Sequence, residues 1–102
     1  MPYGLSESVI EKIAGVFSLE SEIDEAIIFG SRAKGTYKEG SDIDIALKGK
    51  GLNHGLLRKT EIKIDELLLP YVVDMVIYNK VKETLLIDHI DRIGIVIYKK
   101  QG

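Results

Sequence analysis

Two short apolar segments with the character of β-strands, joined by a polar, glycine-containing loop, constrain the fold of this chain more than any other feature. The first segment, Glu25–Phe29, leads directly into Gly30 and Ser31. A strand that opens into a Gly-Ser turn presents backbone N–H groups where phosphate oxygens can bind. The second segment, Ile43–Leu47, follows a loop with room for little helix, so a mixed sheet is possible rather than a purely parallel one.

Two aspartates stand at the start of the second strand. Asp42 and Asp44 are separated by one residue, so they share a face of the strand and lie about 6.5 Å apart along it. Paired carboxylates beside a phosphate-binding turn suit magnesium held between protein and a nucleoside triphosphate. An Asp-x-Asp pair or a Gly-Ser pair alone is weak, because both are common in turns. Their joint occurrence next to two strands is specific.

The rest of the chain alternates helical and strand patterns, which predicts an α/β (α+β) fold with a mixed β-sheet of about four strands flanked by helices. Ser8 and Glu11 form a capping-box pattern for the first helix. Asn79 is predicted to cap the last helix, with Leu85, Leu86 and Ile90 facing inward. The predicted helices are 8–19, a short one from residue 31, 53–69 ended by a proline, and 79–93; the predicted strands are 25–29, 43–47, 71–78 and 95–98.

Length and composition exclude several classes of protein. The 102 residues are expected to form a single domain, 1–102. A formal net charge of -2 argues against a general nucleic-acid binder. The chain has no cysteine, which excludes disulfides and thiolate chemistry. Neither a signal peptide nor a membrane span is visible, so we expect a cytoplasmic protein with no membrane contact.

Asp74 is an isolated carboxylate within a β-prone run of valines. Such a charge is unfavourable unless it is paired or coordinated. One interpretation is an edge-strand aspartate satisfied by backbone N–H groups or a lysine. Next to Asp42 and Asp44, a three-carboxylate, two-metal site is favoured, in which Asp74 could also help to accept a proton from the nucleophile.

Taken together, these motifs resemble the signature of the DNA polymerase beta-like nucleotidyltransferase superfamily, Gly-Ser-x10-Asp-x-Asp. The opening Gly-Ser-Arg-Ala-Lys-Gly is similar to that of the minimal nucleotidyltransferases, and the resemblance extends over most of the chain. It implies the nucleotidyltransferase fold, a triphosphate at Gly30 and Ser31, and metal ligands at Asp42, Asp44 and Asp74.

Further residues around the motif have weaker roles. Ser31 is expected to donate to a phosphate, although a helix N-cap is an equally good interpretation. Arg32 and, less so, Lys34 could neutralise phosphate charge, or both could lie in a solvated loop. Lys34 replaces the arginine that is frequent in the family, which keeps the charge and loses the planar fork. Ser41 is predicted to cap the turn before the aspartates and is included among the nucleotide-binding residues.

Four remaining candidates are interpreted as structural. His54 and His89 have no partner in any sequence pattern, and both are expected to be surface or capping residues rather than catalytic ones. Tyr71 and Tyr78 flank the strand that carries Asp74. They are expected to be packing residues rather than acceptors.

The resemblance implies transfer of AMP from ATP, with two Mg²⁺ ions and release of pyrophosphate, although no base-reading feature is visible. The length leaves no residues for an acceptor-binding domain, so the acceptor is expected to be small or on a partner chain. Minimal nucleotidyltransferases are typically paired with HEPN-domain ribonucleases and act as antitoxins that adenylylate a tyrosine of the toxin. An alternative is a non-catalytic subunit that neutralises a HEPN partner by binding. Small-molecule transfer is disfavoured, and a homodimer is left open.

Overall fold

The computed structural model describes residues 2–101, in which helices and strands alternate along the chain. In order they are α1 (Glu7–Ser18), β1 (Glu25–Phe29), α2 (Ser31–Lys34), β2 (Ile43–Lys48), α3 (His54–Asp65), β3 (Val73–Ile77), α4 (Thr84–Ile93) and β4 (Ile95–Lys99), with 3-10 turns at Pro2–Gly4 and Tyr78–Lys80. Across residues 2–101, none of the helices has the length and apolar character needed to cross a bilayer.

The four strands form a mixed sheet in the order β3-β2-β1-β4, which confirms the predicted fold class. Strand β1 is antiparallel to both β2 and β4, whereas β2 and β3 are parallel. The physical reason is the length of the connections: α2 is too short to carry the chain across the sheet, and α3 supplies the crossover that parallel strands need. As a result, the end of β1 lies beside the starts of β2 and β3.

Alternation along β2 divides the core between the two faces of the sheet. Ile43, Ile45 and Leu47 belong to the larger apolar cluster, which also contains residues of α1 and α3. Ala46 belongs to a smaller cluster under α4. That smaller cluster consists of Ile27, Phe29, Ala46 and Ile90, with Val76, Tyr78 and Leu86 packed against it. Asp44 lies between buried residues of β2, on the face that α4 covers only in part.

The first helix begins one residue earlier than predicted, and Ser8 does not cap it. Ser6 is the N-cap, and its Oγ accepts the Val9 N–H at 3.2 Å. Ser8 lies inside the first turn. Two serines separated by one residue are both possible caps, and the capping-box pattern wrongly predicted Ser8.

Helix α3 ends at Asp65, four residues short of its predicted end. The N–H groups of Leu67 and Leu68 bond to carbonyls three residues earlier, which tightens and ends the helix. Leu68 has a positive φ of 54° and is 88% exposed, so it does not extend the apolar face of α3. The N-terminal side follows the prediction, because Asn53 caps α3 by accepting the Leu56 N–H at 2.8 Å.

Helix α4 also differs from its prediction. Asn79 lies in a 3-10 turn, and α4 begins only at Thr84. Leu85 is 84% exposed, so the expectation that it faces inward is wrong. Leu86 and Ile90, one helical turn apart, face the sheet as predicted.

Candidate active site

The predicted site residues meet at one end of the sheet, where β1 ends and β2 and β3 begin. Phe29 at the end of β1 is the register partner of Asp44. Asp44 in turn is the register partner of Asp74 on the parallel strand β3. Register partners project on the same face, so Asp44 lies between the Gly30 turn and Asp74.

Gly30 connects β1 to α2 in a conformation that only glycine adopts readily. Its φ of 76° lies in the left-handed region. A Cβ at this position would overlap the Oδ2 atom of Asp44. Gly30 is also the N-cap of α2, so Ser31 is its first helical residue and the alternative role of Ser31 as N-cap is wrong. The sequence Gly-Ser therefore brings backbone directly against a carboxylate.

Asp44 is half-buried, whereas Asp42 and Asp74 are exposed. Burial raises the pKa of the Asp44 carboxyl above its ordinary value, and the negative charges of Asp74 and Asp42 raise it further. The negative charges of Asp42 and Asp74 therefore act on the Asp44 carboxyl.

Carboxylate oxygens are the ligands that Mg²⁺ prefers, and a concentration of negative charge around Asp44 is what a divalent cation offsets. Asp42, Asp44 and Asp74 thus have the right donor chemistry for magnesium. Their side chains do not form a closed ligand cluster: residues 2–101 contain no group of three or more ligating side chains already gathered around one point. Like charges on the three carboxylates repel one another, and a bound divalent cation would offset that repulsion.

Arg32 has a structural role that the sequence did not reveal. Its side chain is only 3% exposed. Nε and Nη2 donate to the Ser41 carbonyl at 3.2 and 2.7 Å, and Nη1 donates to the Tyr3 carbonyl at 2.9 Å. The guanidinium also lies over the rings of Tyr37 and Tyr71, 5.4 and 4.9 Å from their centroids. This geometry lends no support to the expected phosphate contact, since the group is occupied within the fold.

Ser41 closes the turn immediately before Asp42, as the sequence predicts. Its Oγ accepts the Lys38 N–H at 2.8 Å, and its own N–H donates to the Lys38 carbonyl at 3.0 Å. A direct contact of Ser41 with nucleotide stays a prediction. Lys34 is exposed on α2.

His89 is the residue near the site that sequence reasoning missed. The Gly30 N–H donates to its Nε2 at 2.9 Å, across 59 positions of the chain. Its ring lies edge-on to Phe29, with centroids 6.1 Å apart and planes at 79°. The only local signal was its place beside the inward-facing Ile90 of α4. His54, in contrast, is exposed at the start of α3, as expected.

Comparison with known proteins agrees with this geometry. Residues 11–102 match the family model described as polymerase beta, nucleotidyltransferase. The chain is 31% identical over 87 residues to the Methanocaldococcus jannaschii protein named "Putative protein adenylyltransferase MJ0141", a match covering 78% of this chain and 83% of that protein.

Solved structures with the same fold include two from toxin-antitoxin complexes. One was crystallised with AMP-PNP; it has a TM-score of 0.70 and 26% identity, over 95% of this chain and 76% of that one. Another, containing a tri-AMPylated Shewanella oneidensis HEPN toxin and its MNT antitoxin, has a TM-score of 0.69 and 19% identity, over 94% of this chain and 74% of that one. At that identity the second likeness shows the fold alone.

Proposed function

The chain belongs to the polymerase beta nucleotidyltransferase family, and from that premise we propose that it transfers AMP from ATP to a hydroxyl acceptor and releases pyrophosphate. The observation that carries the proposal is the contact of the Gly30 backbone with Asp44, which is itself paired in register with Asp74. This arrangement sets a phosphate-binding turn against a pair of carboxylates on adjacent strands.

In the proposed reaction, the acceptor oxygen bonds to the α-phosphorus as the bond to the oxygen bridging to the β-phosphorus breaks. Pyrophosphate leaves with that bridging oxygen. Asp42, Asp44 and Asp74 would hold two Mg²⁺ ions, which supply charge neutralisation at the phosphates when bound. Gly30 would shape the turn, and Ser31 would orient the triphosphate through its backbone N–H and its hydroxyl. Asp74, exposed at the edge of the site, would help to receive the acceptor's proton.

For the acceptor, we propose a tyrosine of a HEPN-domain toxin. Support comes from the relative named as a protein adenylyltransferase and from the toxin-antitoxin complex with AMP-PNP, which is 26% identical. The chain would then act as an antitoxin that silences its partner by adenylylation.

The test is to incubate the chain, a HEPN protein encoded next to its gene, ATP and Mg²⁺, and to weigh the HEPN chain. We expect a mass gain of one or more AMP units with the wild-type chain and none with Asp44→Asn/Asp74→Asn. No gain in a folded complex would contradict the proposal. Protection from the toxin that survives in the double variant would instead indicate a non-catalytic antitoxin that works by binding.

A further inference from the structure

Helix α4 reaches the site through one side chain. His89 receives the Gly30 N–H at 2.9 Å, while its ring rests edge-on against Phe29 at the end of β1. The bond joins two segments that are 59 positions apart in sequence, and the ring is half-buried. A hydrogen bond of this length in a partly desolvated place constrains the peptide that donates it.

The direction of the bond identifies the acceptor. The Gly30 N–H donates, and the lone pair of Nε2 is directed at it. The Gly30 N–H is therefore bonded within the protein. The orientation of the Gly30 peptide sets the direction of the next backbone N–H groups, which lie at the start of α2.

The bond between His89 and Gly30 matters for the site because Gly30 lies against the Asp44 carboxylate. A Cβ on Gly30 would overlap Oδ2 of Asp44, so a small rotation of the Gly30 peptide alters the space for that carboxylate. The positive φ of 76° is one of several conformations open to glycine. The bond to His89 favours this conformation.

We propose that His89 is a positioning residue of the nucleotide site: its Nε2 holds the Gly30 peptide, and through it the orientation of the Asp44 carboxylate and of the turn that receives the triphosphate. The inference rests on the proposed function, since it assigns the task of α4 in the same site. His89 acts through Gly30 and does not itself contact the nucleotide.

Two substitutions at His89 test the contribution of the acceptor atom separately from that of the aromatic ring. His89→Phe keeps an aromatic ring beside Phe29 and removes the acceptor. His89→Gln places an amide oxygen near the position of Nε2 and removes the ring. We expect His89→Phe to weaken binding of Mg²⁺–AMP-PNP about tenfold, because the turn at Gly30 and the Asp44 carboxylate are no longer held in the arrangement that receives the nucleotide. His89→Gln should bind within about threefold of wild type.

The matched control is His54→Phe, which changes the chain's other histidine at an exposed position on α3. It should leave binding unchanged. Should His89→Phe not fold, His89→Asn serves in its place, because its shorter amide does not reach Gly30. Nuclear magnetic resonance adds a direct readout: a scalar coupling through the hydrogen bond, between the Gly30 amide nitrogen and Nε2, is expected in wild type and absent in His89→Phe.

The outcomes distinguish the role of His89 from the proposed function of the chain. Wild-type affinity in His89→Phe, or in His89→Asn, would overturn the role of His89 and leave the nucleotidyltransferase proposal standing. Absence of the coupling in wild type would overturn it as well. Failure of the wild-type chain to bind Mg²⁺–AMP-PNP would overturn the proposed function and this inference with it.

Discussion

At the scale of single residues, Gly30 and Asp44 depend on each other. The glycine backbone lies where any side chain would overlap the Asp44 carboxylate. That carboxylate is half-buried beside two others, an arrangement that disfavours its charged form. Binding sites commonly retain such unfavourable charge, because a ligand of opposite charge offsets it.

Replacing Gly30 by alanine is expected to destabilise the fold and weaken binding of Mg²⁺–AMP-PNP. The matched control is Gly35→Ala, since Gly35 also has a positive φ, 84°, but its Cβ would have no neighbour within 4 Å. Gly35→Ala should lower the free energy of unfolding by about 1 kcal/mol, from the backbone conformation alone. Gly30→Ala should lower it by about 2 kcal/mol or more, as measured by urea unfolding. Equal losses in the two variants would show that the contact with Asp44 has no energetic weight.

Asp44→Asn is expected to raise the Tm of the metal-free protein at neutral pH. The folded-state pKa of Asp44 is raised, so its contribution to stability is present at low pH and is lost as pH rises through that pKa. The Tm advantage of the variant should therefore grow from acid to neutral pH, and differential scanning calorimetry measures it. Asp65→Asn, at an exposed position on α3, is the control and should show no such trend. A variant less stable than wild type at pH 7 would contradict the electrostatic argument.

At the scale of elements, Arg32 joins segments that each lead to a site residue. Its contacts reach Ser41, directly before Asp42, and Tyr71, shortly before β3. A third contact ties down the N-terminal turn at Tyr3. A buried cation therefore helps to hold the segment between β1 and β2 in place.

Arg32→Lys keeps the charge but loses the planar fork that donates to two carbonyls. We expect a loss of about 1–3 kcal/mol in the free energy of unfolding, because buried carbonyls lose their donors. Lys34→Met, on the exposed face of the same short helix, should change it by less than about 0.5 kcal/mol. Denaturant unfolding of both variants is the measurement. A loss no larger than that of Lys34→Met would mean that Arg32 does not hold the loop.

The existence of these elements could be predicted better than their ends. Strands β1 and β2 match their predicted positions closely, because alternation and β-branched composition are local signals. Helix ends depend on which of several possible caps or turns forms. Ser6 rather than Ser8 caps α1, and Asn79 lies in a 3-10 turn rather than at the start of α4.

At the scale of the whole molecule, the sheet order places residues 30, 44, 74 and 89 at one end of the fold. Because β1 runs antiparallel to β2, its end meets the start of β2. A ligand bound there would contact segments from most of the chain. Its binding free energy should therefore stabilise the fold as a unit.

We expect Mg²⁺ and AMP-PNP, added together at about 100 times the dissociation constant, to stabilise the folded chain by about 2.7 kcal/mol. For a domain of this size that raises Tm by about 10–20 °C. Thermal unfolding monitored by circular dichroism is the measurement. Asp44→Asn/Asp74→Asn should show no such shift. An equal shift with EDTA in place of Mg²⁺ would argue against the carboxylate metal site.

The class of fold and the motif of Gly30-Ser31 with Asp42 and Asp44 follow from local patterns of polarity and glycine in the sequence. Folding establishes which distant residues support that motif. It brings His89 to the Gly30 N–H and turns Arg32 inward to the loop carbonyls. The physical reason is that these contacts join segments far apart in the chain, so they follow from strand order and helix packing rather than from any local pattern.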